Sequence, residues 1–341
     1  TVCVTGANGY VASALINQLT SATSPEGIPY KVVGTVRDAS MLKSERLFRD
    51  VQLFDADTLN TSSLDAPFSL CGALVHTDLS FWTAGFQPAM IRTAVESTEN
   101  VLRAAKRAGV DKVVVTGSCA SMAPLNPDAI MPTAGPGKPF TELDWNRDAT
   151  EEEGPYMLSR RLQEEKVWEF AAGEGAGRRY SVLNPCFVIG PPALQAAAEE
   201  SVHFMKRLLE GAYAGGVPPL YLGVVDVRDV ALAQQRALER READGKRFLL
   251  SSERAHSLLE LAGYVRGHRN FGSAFAFPVA VAGSLPKTAV RFSSRRAEEI
   301  LGVNFTAPEV AARDMADQLL FTRMVDLTLA EQRRRSPRAE L

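Results

Sequence analysis

Cysteine, unbalanced charge and long apolar runs are all scarce in this 341-residue sequence, and each absence excludes a class of protein. The four cysteines lie far apart and form no CxxC pair, so their spacing predicts neither a disulfide framework nor a zinc site and is compatible with a reducing compartment. Because 38 basic residues nearly balance 40 acidic ones, the net charge of −2 provides no field that would attract nucleic acid or an anionic membrane. The longest apolar stretch, Ala274 to Gly283, contains Pro278 and is far shorter than the roughly 20 residues that span a bilayer.

The first residues, Thr1 to Thr5, are typical of a strand rather than of a secretory signal, since no basic segment precedes an apolar one. We therefore expect a cytoplasmic protein whose partner is a small molecule, with no nucleic-acid or membrane partner. The oligomeric state stays open between a monomer and a homodimer, because long amphipathic helices suit a dimer contact and a buried monomer core equally well.

Strand-length apolar runs alternate with helix-length amphipathic runs through the first half of the chain. This alternation is typical of βαβ units in a parallel sheet. The predicted strands are 2–5, 31–36, 51–54, 73–76, 113–116 and 180–183, and the predicted helices are 10–19, 88–109 and 156–172. We therefore predict an α/β fold with a Rossmann-type doubly wound parallel sheet.

Beyond Asn184 the alternation gives way to segments interrupted by proline and glycine. We assign residues 1–184 to a dinucleotide-binding Rossmann domain whose core strands continue to about 250. Residues 185–325 would mainly form a smaller C-terminal substrate lobe. The last segment, 326–341, would be a C-terminal tail, and its arginine-rich stretch 333–338 is predicted to be solvated and frayed.

Residues 2–12 read VCVTGANGYVA and place Gly6, Gly9 and Ala12 between a strand and a helix. In a dinucleotide site the first glycine permits the tight turn, the second lets the backbone approach a pyrophosphate, and the small third residue lets helix and strand pack closely. A tight βα turn alone would need the same glycines. Strand, turn, helix and second strand nevertheless occur here in the order that a cofactor site requires.

The second strand ends at Val36-Arg37-Asp38, where the choice between the two nicotinamide cofactors is made. An acidic residue there would bind the ribose of NAD, whereas an arginine would pair with the 2′-phosphate of NADP. Arg37 comes first and Lys43 adds a second cation, so NADP(H) is favoured, although Asp38 keeps NAD(H) open as the alternative. Both cations would otherwise be solvated residues at a helix start.

Two segments carry groups suited to proton transfer. Tyr156 begins a helix, and the residue one turn later on the same face is the cation Arg160. A tyrosine can act as a general acid toward a developing alkoxide when a neighbouring cation stabilises its phenolate. The segment Thr116-Gly117-Ser118-Cys119-Ala120-Ser121 ends a strand and supplies hydroxyl groups to hold a carbonyl oxygen.

With these motifs the chain resembles the extended short-chain dehydrogenase/reductase family, part of the NAD-dependent epimerase/dehydratase superfamily, and within it the dihydroflavonol reductase and aldehyde/ketone reductase branch. The resemblance covers most of residues 1–325 and rests on residues 5–10, 36–38, 116–118, 156 with 159, 184–185 leading to 190–191, and 225–230. It implies hydride transfer between a nicotinamide and the carbonyl carbon of a small aldehyde or ketone. Tyr156 would supply the proton, Ser118 would hydrogen-bond the same oxygen with Ser121 as the alternative serine, and Arg160 would occupy the position of the family's lysine.

The resemblance also implies which residues contact the cofactor. Asp57 would touch the adenine, and the backbone of His76 and Thr77 and of the segment from Pro185 to Val188 would lie beside the cofactor. The full predicted cofactor-binding set is Gly6, Asn8, Gly9, Tyr10, Val11, Arg37, Lys43, Asp57, His76, Thr77, Tyr156, Arg160, Pro185 and Val188. No metal site is predicted, because the histidines show no metal-ligand spacing.

The sequence departs from the family at Arg160, where the family has lysine, at Asp78, where it usually has a small residue, and at Asp226, where it has histidine. An arginine keeps the positive charge but is bulkier and cannot release a proton. Two alternative functions therefore stay open. One is a sugar-nucleotide epimerase or dehydratase with tightly held NAD, and the other is a catalytically impaired NADP(H)-binding sensor or scaffold.

Two further pairs of residues allow both a functional and a packing interpretation. Phe81 and Trp82 follow the fourth strand, where a substrate pocket would open, and either substrate stacking or ordinary packing explains them. Asp226 and Asp229 are predicted to be structural residues at a helix start rather than an acid/base couple.

Overall fold

The computed structural model describes residues 1–77, 88–124, 132–195, 200–268, 271, 275–287 and 289–335. Its strands are β1 (Val2–Thr5), β2 (Val32–Val36), β3 (Val51–Asp55), β4 (Ala73–His76), β5 (Lys112–Thr116), β6 (Arg179–Pro185), β7 (Phe187–Ile189), β8 (Tyr221–Leu222), β9 (Val224–Asp226), β10 (Lys246–Leu250) and β11 (His256–Ser257). Its α-helices are α1 (Tyr10–Thr20), α2 (Asp65–Phe68), α3 (Pro88–Arg107), α4 (Pro155–Ala172), α5 (Glu200–Leu209), α6 (Val227–Glu239), α7 (Leu258–Arg266), α8 (Pro308–Phe321) and α9 (Leu327–Arg335).

Seven strands form one parallel sheet in the order β3-β2-β1-β4-β5-β6-β10. From β1 the chain builds outward through β2 and β3, and then continues on the other side of β1 through β4, β5 and β6. This reversal leaves a crevice at the carboxyl ends of β1 and β4, the place where doubly wound sheets bind their ligands. The prediction of a Rossmann-type doubly wound α/β sheet is confirmed.

Helices cover both faces of the sheet, which explains why its central strands are apolar throughout. On one face α1 packs against α6, and on the other α3 packs against α4. Successive residues of β1 alternate between the two layers. Val2 and Val4 belong to the cluster that contains Leu15 of α1, whereas Cys3 belongs to the cluster that contains Leu102 of α3.

The prediction that the cysteines form no disulfide is wrong for one pair. Cys3 and Cys71 are joined by a disulfide, with Cα atoms 5.8 Å apart, although 68 residues separate them along the chain. Cys3 lies in β1, and Cys71 lies just before β4, the neighbouring strand in which Ala73 pairs with Val2. Cysteine spacing cannot show this pairing, because it depends on which strands are neighbours. Cys119 and Cys186 are free thiols.

The second half of the chain adds two small sheets beside the large one. Strands β7 and β9 pair in parallel, β8 and β11 pair antiparallel, and α7 packs against α8. Leu327–Arg335 forms α9, so the frayed stretch predicted for 333–338 is wrong over 333–335, which are helical. Asp326 begins this helix by accepting hydrogen bonds from the amides of Thr328 and Leu329 at 2.9 and 3.0 Å. In the described parts of the chain, no helix combines the length and the apolar character that crossing a membrane requires.

Candidate active site

The turn between β1 and α1 has the geometry that an anion-binding turn needs. Gly6 has a φ of 62°, a left-handed conformation that favours glycine, and its carbonyl accepts a hydrogen bond from the Gly9 amide at 2.8 Å. A Cβ atom on Gly9 would lie 3.1 Å from that carbonyl oxygen and crowd the turn. Gly9 precedes α1 and has no side chain to cap it, which leaves the first amides of the helix for a phosphate. The turn therefore fits the pyrophosphate of a dinucleotide.

The other predicted residues of this turn divide between surface and core. Asn8 is exposed, whereas Tyr10 and Val11 are buried. The Tyr10 hydroxyl donates a hydrogen bond to the carbonyl of Gly190, just beyond β7, at 2.6 Å. Since both buried side chains face the protein, any contact that Tyr10 and Val11 make with a cofactor would come through their backbone.

Arg37 and Asp38, the two residues that could select the cofactor, are adjacent in the loop after β2 but have different surroundings. Arg37 is exposed. Asp38 caps the following 3₁₀ turn, because its carboxylate accepts hydrogen bonds from the amide and hydroxyl of Ser40 at 3.0 and 2.5 Å. These bonds hold the pKa of Asp38 below its ordinary value. Asp55, at the end of β3, accepts a further bond from the Ala39 amide at 2.6 Å; sequence reasoning missed this residue, which holds the loop in place.

Lys43 and Asp57, the other charged residues predicted to bind the cofactor, lie in the loops after β2 and β3. Lys43 is exposed and, with Arg46 and Arg49, lines a groove of about 510 Å³ beside β3. Asp57 is exposed two residues after β3 and accepts a hydrogen bond from the Leu59 amide at 2.9 Å.

The carboxyl ends of β1 and β4 are bonded side by side. The Nδ1 atom of His76 lies 2.8 Å from the Thr5 hydroxyl, and the Thr77 hydroxyl donates to the Thr5 carbonyl at 2.5 Å. The Thr77 amide donates to the Thr5 hydroxyl at 3.1 Å. The buried residues His76 and Thr77 therefore lie beside the end of β1, at the predicted cofactor crevice.

Two hydroxyl groups meet at the carboxyl end of β5. The Tyr156 hydroxyl donates to the Ser118 hydroxyl oxygen over 3.4 Å, and Ser118 Oγ also accepts from the Ala120 amide at 3.2 Å. The ring of Tyr156 packs against Met90 and Ala94 of α3. The structure thus brings together Tyr156 and Ser118, the two residues to which the family resemblance assigns the carbonyl oxygen.

The alternative serine is engaged elsewhere. Ser121 is fully buried, and its hydroxyl donates to the carboxylate of Glu164 at 2.7 Å and accepts from Arg247 at 3.2 Å. Of the two serines, the structure therefore pairs Ser118 with Tyr156.

Arg160 lies where its charge can act on Tyr156. Its side chain is buried, and its guanidinium carbon lies 5.0 Å from the centre of the Tyr156 ring. The Nη1 atom donates to Gln163 at 3.0 Å, so the guanidinium is oriented by a neighbour on the same helix. A cation at this distance from an aromatic ring is attracted to it.

The end of β6 packs against the loop that contains Ser118. The Gly117 amide donates to the Leu183 carbonyl at 2.7 Å, and a Cβ atom on Gly117 would lie only 2.2 Å from the side-chain oxygen of Asn184. Only glycine permits this approach. Pro185 is buried at the end of β6, and Val188 is half-buried in β7.

The two aspartates near α6 are structural, as predicted. Asp226 accepts from the Arg228 amide at 2.8 Å and pairs with its guanidinium at 2.6 Å. Asp229 accepts from the Thr306 amide at 2.6 Å, and burial raises its pKa.

Asp78, Phe81 and Trp82 lie outside the described residues. Among the residues that the structure describes, no group of three or more His, Cys, Asp or Glu side chains could hold a metal ion.

Sequence reasoning missed the buried ion pair between Glu164 and Arg247, whose atoms approach to 2.6 Å. The only indication in the sequence was that Glu164 lies on the same helix as Tyr156. It follows Tyr156 by eight residues and therefore lies about two turns later on α4.

Comparisons with known proteins identify a family and several similar proteins. The model of the NAD dependent epimerase/dehydratase family matches residues 2–250. Over 332 residues the chain is 30% identical to cinnamoyl-CoA reductase CAD2 of Medicago truncatula, covering 93% of this chain and 95% of that protein. It is 32% identical over 264 residues to cinnamoyl-CoA reductase 2 of Arabidopsis thaliana, covering 75% and 74%. The fold is similar to that of yeast methylglyoxal/isovaleraldehyde reductase Gre2 complexed with NADPH, with a TM-score of 0.77, 22% identity and coverage of 95% and 99%.

Proposed function

Because the chain belongs to the NAD dependent epimerase/dehydratase family, we propose that it is an NADP(H)-dependent oxidoreductase that reduces the carbonyl of a small aldehyde or ketone to an alcohol. The observation that carries the proposal is the approach of Tyr156 and Ser118 to 3.4 Å at the carboxyl end of β5. The names of its relatives, carbonyl-directed reductases of plants and yeast, support the same reaction class.

In this reaction a hydride joins the carbonyl carbon and a proton joins the carbonyl oxygen. Bound NADPH would supply the hydride. Tyr156 would donate its hydroxyl proton to the oxygen, and Ser118 would donate a hydrogen bond to the same oxygen and so stabilise the developing negative charge. Arg160, 5.0 Å from the Tyr156 ring, would stabilise the phenolate that remains.

The choice of NADP(H) over NAD(H) rests on Arg37 and Asp38. One carboxylate oxygen of Asp38, Oδ1, already accepts two hydrogen bonds from Ser40, whereas the guanidinium of Arg37 after β2 is exposed. An exposed arginine suits the 2′-phosphate of NADP, and Lys43 adds a second cation on the following turn. The NADPH in the similar yeast structure supports this choice.

The test combines cofactor titration and turnover on one preparation. Protein fluorescence would follow NADPH and NADH binding, and NADPH oxidation would then be measured with a panel of aldehydes and ketones. We expect tighter binding of NADPH and turnover of at least one carbonyl compound. Tyr156→Phe should retain NADPH binding and lose about 100-fold or more in kcat, whereas Tyr180→Phe, a buried tyrosine at the far end of β6, should retain both.

Other results would identify the alternatives. Tight NADPH binding without turnover, unchanged in Arg160→Lys, would indicate a sensor or scaffold. NAD that stays bound through purification would favour a sugar-nucleotide epimerase or dehydratase. Absence of binding to either cofactor would refute the dinucleotide site itself.

A further inference from the structure

Glu164, on α4, carries a buried carboxylate that accepts five hydrogen bonds. Its Oε2 accepts hydrogen bonds from the Ser121 hydroxyl at 2.7 Å, from the side-chain amide of Asn184 at 3.1 Å and from Arg247 at 2.6 Å. Its Oε1 accepts from Arg247 at 2.7 Å and from Trp168 at 3.3 Å. The side chains of Glu164 and Arg247 are 0% and 8% exposed, so water does not screen their ion pair. We call Glu164, Arg247, Ser121 and Asn184 the Glu164 cluster.

Arg247 is also fixed by the loop that precedes α4. Its Nη1 donates to the Asp144 carbonyl at 2.8 Å, and its guanidinium carbon lies 3.7 Å from a ring centre of Trp145. The Asn146 amide donates to the Ser121 carbonyl at 2.8 Å. One guanidinium from β10 therefore holds the loop before α4 against the segment that follows β5.

The Glu164 cluster joins the two segments that carry Tyr156 and Ser118. Glu164 and Tyr156 share α4, and Ser121 is linked to Ser118 by an amide-to-carbonyl hydrogen bond of 3.0 Å. The bond between Glu164 and Ser121 thus limits both the rotation of α4 and its distance from the end of β5. The 3.4 Å between the two hydroxyl groups is already long for such a bond, so a small shift of the helix would break it.

A second ion pair, between a buried lysine and a half-buried aspartate, links the same strands at their opposite ends. Lys112, at the start of β5, is 1% exposed and donates to Asp244 at 2.6 Å and to Ser181 of β6 at 2.7 Å. Asp244 lies just before β10. Like the Glu164 cluster, this pair joins a buried cation to a carboxylate, although Asp244 is 23% exposed. It lies at the opposite ends of the strands from the Glu164 cluster, so it shows what an ion pair contributes to folding alone.

We propose that Glu164 and Arg247 are positioning residues for proton transfer, whose ion pair holds Tyr156 at hydrogen-bonding distance from Ser118 by joining α4 to the end of β5. The inference rests on the proposed function, since proton transfer is the step that this distance serves. Removing one member of a buried pair leaves the other charge uncompensated and moves the groups around it. Displacing reacting groups by about 1 Å costs about 100-fold in rate.

The kinetic test compares two acid-to-amide substitutions, Glu164→Gln and Asp244→Asn. In Glu164→Gln we expect kcat to fall about 10- to 100-fold, with KM and NADPH affinity within about twofold of the wild type. The solvent deuterium isotope effect on kcat should rise, because proton transfer becomes slower. Arg247→Lys, which keeps the charge without the planar fork, should lie between the wild type and Glu164→Gln. In Asp244→Asn the melting temperature should fall while kcat and the isotope effect stay at wild-type values.

A spectroscopic measurement keeps the inference separate from the reaction. The protein has seven tyrosines, and labelling them with ¹³C at Cζ gives one NMR signal each, of which Tyr156→Phe identifies the relevant one. We expect Glu164→Gln to move the Tyr156 signal and Asp244→Asn to leave it in place. A wild type that turns over no carbonyl compound would contradict the proposed function, yet this signal would still report on positioning.

An unmoved Tyr156 signal in Glu164→Gln would overturn the inference. Equal movement of the signal in Glu164→Gln and Asp244→Asn would also overturn it. So would kcat losses in the two variants that simply follow their losses of melting temperature. Those results would make the Glu164 cluster a purely structural ion pair.

Discussion

The hydroxyl of Tyr156 lies 3.4 Å from the hydroxyl of Ser118, and 38 residues separate them along the chain. They meet because α4 begins, and β5 ends, at the same edge of the sheet. Ser121, only three residues from Ser118, instead donates to Glu164. The sequence offered both serines, and the structure gives them different partners, so they should respond differently to substitution.

Ser118→Ala removes the hydroxyl that would stabilise the developing oxyanion, and we expect kcat to fall about 100-fold with little loss of stability. Ser121→Ala removes a partner of a buried carboxylate, and we expect it to lower the free energy of unfolding by about 1–3 kcal/mol while kcat falls less than in Ser118→Ala. Steady-state kinetics and urea unfolding on both variants check this. The opposite ranking of the two kcat values would assign the reaction to Ser121.

Arg160 should be replaceable by lysine but not by an uncharged side chain. Arg160→Met removes the cation that would stabilise the phenolate left by proton transfer, so we expect kcat to fall about 30-fold, equivalent to about 2 kcal/mol of lost transition-state stabilisation. Arg160→Lys restores a cation and should stay within about threefold of the wild type. Equal kcat values for the lysine and methionine variants would show that the charge has no part in turnover.

Arg37→Ala should abolish the preference for NADPH. A charged hydrogen bond to phosphate contributes about 1.5–3 kcal/mol, so the NADPH Kd should rise about 10- to 100-fold while NADH binding is unchanged. Lys31→Ala is the matched control, because Lys31 is an exposed cation at the opposite end of β2. A preference that survives in Arg37→Ala would move the phosphate contact to Lys43.

The disulfide between Cys3 and Cys71 closes a loop of 68 residues, and we expect Cys71→Ser to lower the free energy of unfolding by about 2–4 kcal/mol. Adding a reductant should bring the wild type down to the level of the variant. Thiol titration of the denatured protein gives an independent check, with two reactive thiols before reduction and four after it. Four thiols without reduction would contradict the disulfide.

His256 should make the protein less stable in mild acid. Burial, helped by the nearby charge of Arg254, lowers its pKa, and Nδ1 lies 3.1 Å from the Tyr264 hydroxyl. The unfolded chain therefore takes up a proton below about pH 6.5 before the folded protein does, so stability falls as the pH drops from there. Urea unfolding at pH 7.5 and 5.5 should show a larger loss for the wild type than for His256→Asn, and equal losses would refute the assignment.

Local patterns predicted the fold well, because each βα unit consists of consecutive residues whose apolar spacing indicates a strand or a helix. The apolar runs 2–5 and 73–76 became strands with those bounds, and the family resemblance drawn from the motifs is confirmed. Contacts between distant segments were not accessible in the same way. The disulfide depends on β1 and β4 being neighbours, and in sequence Arg247 is simply a charge within a strand.

Some local features were missed because more than one outcome fits the same residues. The arginine-rich end suits a frayed tail and a helix alike, and the capping bonds of Asp326 decide between them. Likewise, an aspartate after β2 suits both a ribose contact and the cap of the next turn, and the structure shows Asp38 Oδ1 capping the turn at Ser40. The sequence contains both partners in each case but not their geometry.

Because the strand order reverses between β1 and β4, residues with different proposed roles lie on opposite sides of β1. This separation is useful for redesigning the protein. The residues proposed to choose the cofactor follow β2, whereas those proposed to transfer the proton follow β5 or lie on α4, on the other side of β1. Substitutions at distant sites without shared partners have nearly additive effects. Libraries that change coenzyme preference and libraries that change turnover can therefore be built and selected separately, and their best members combined in one chain.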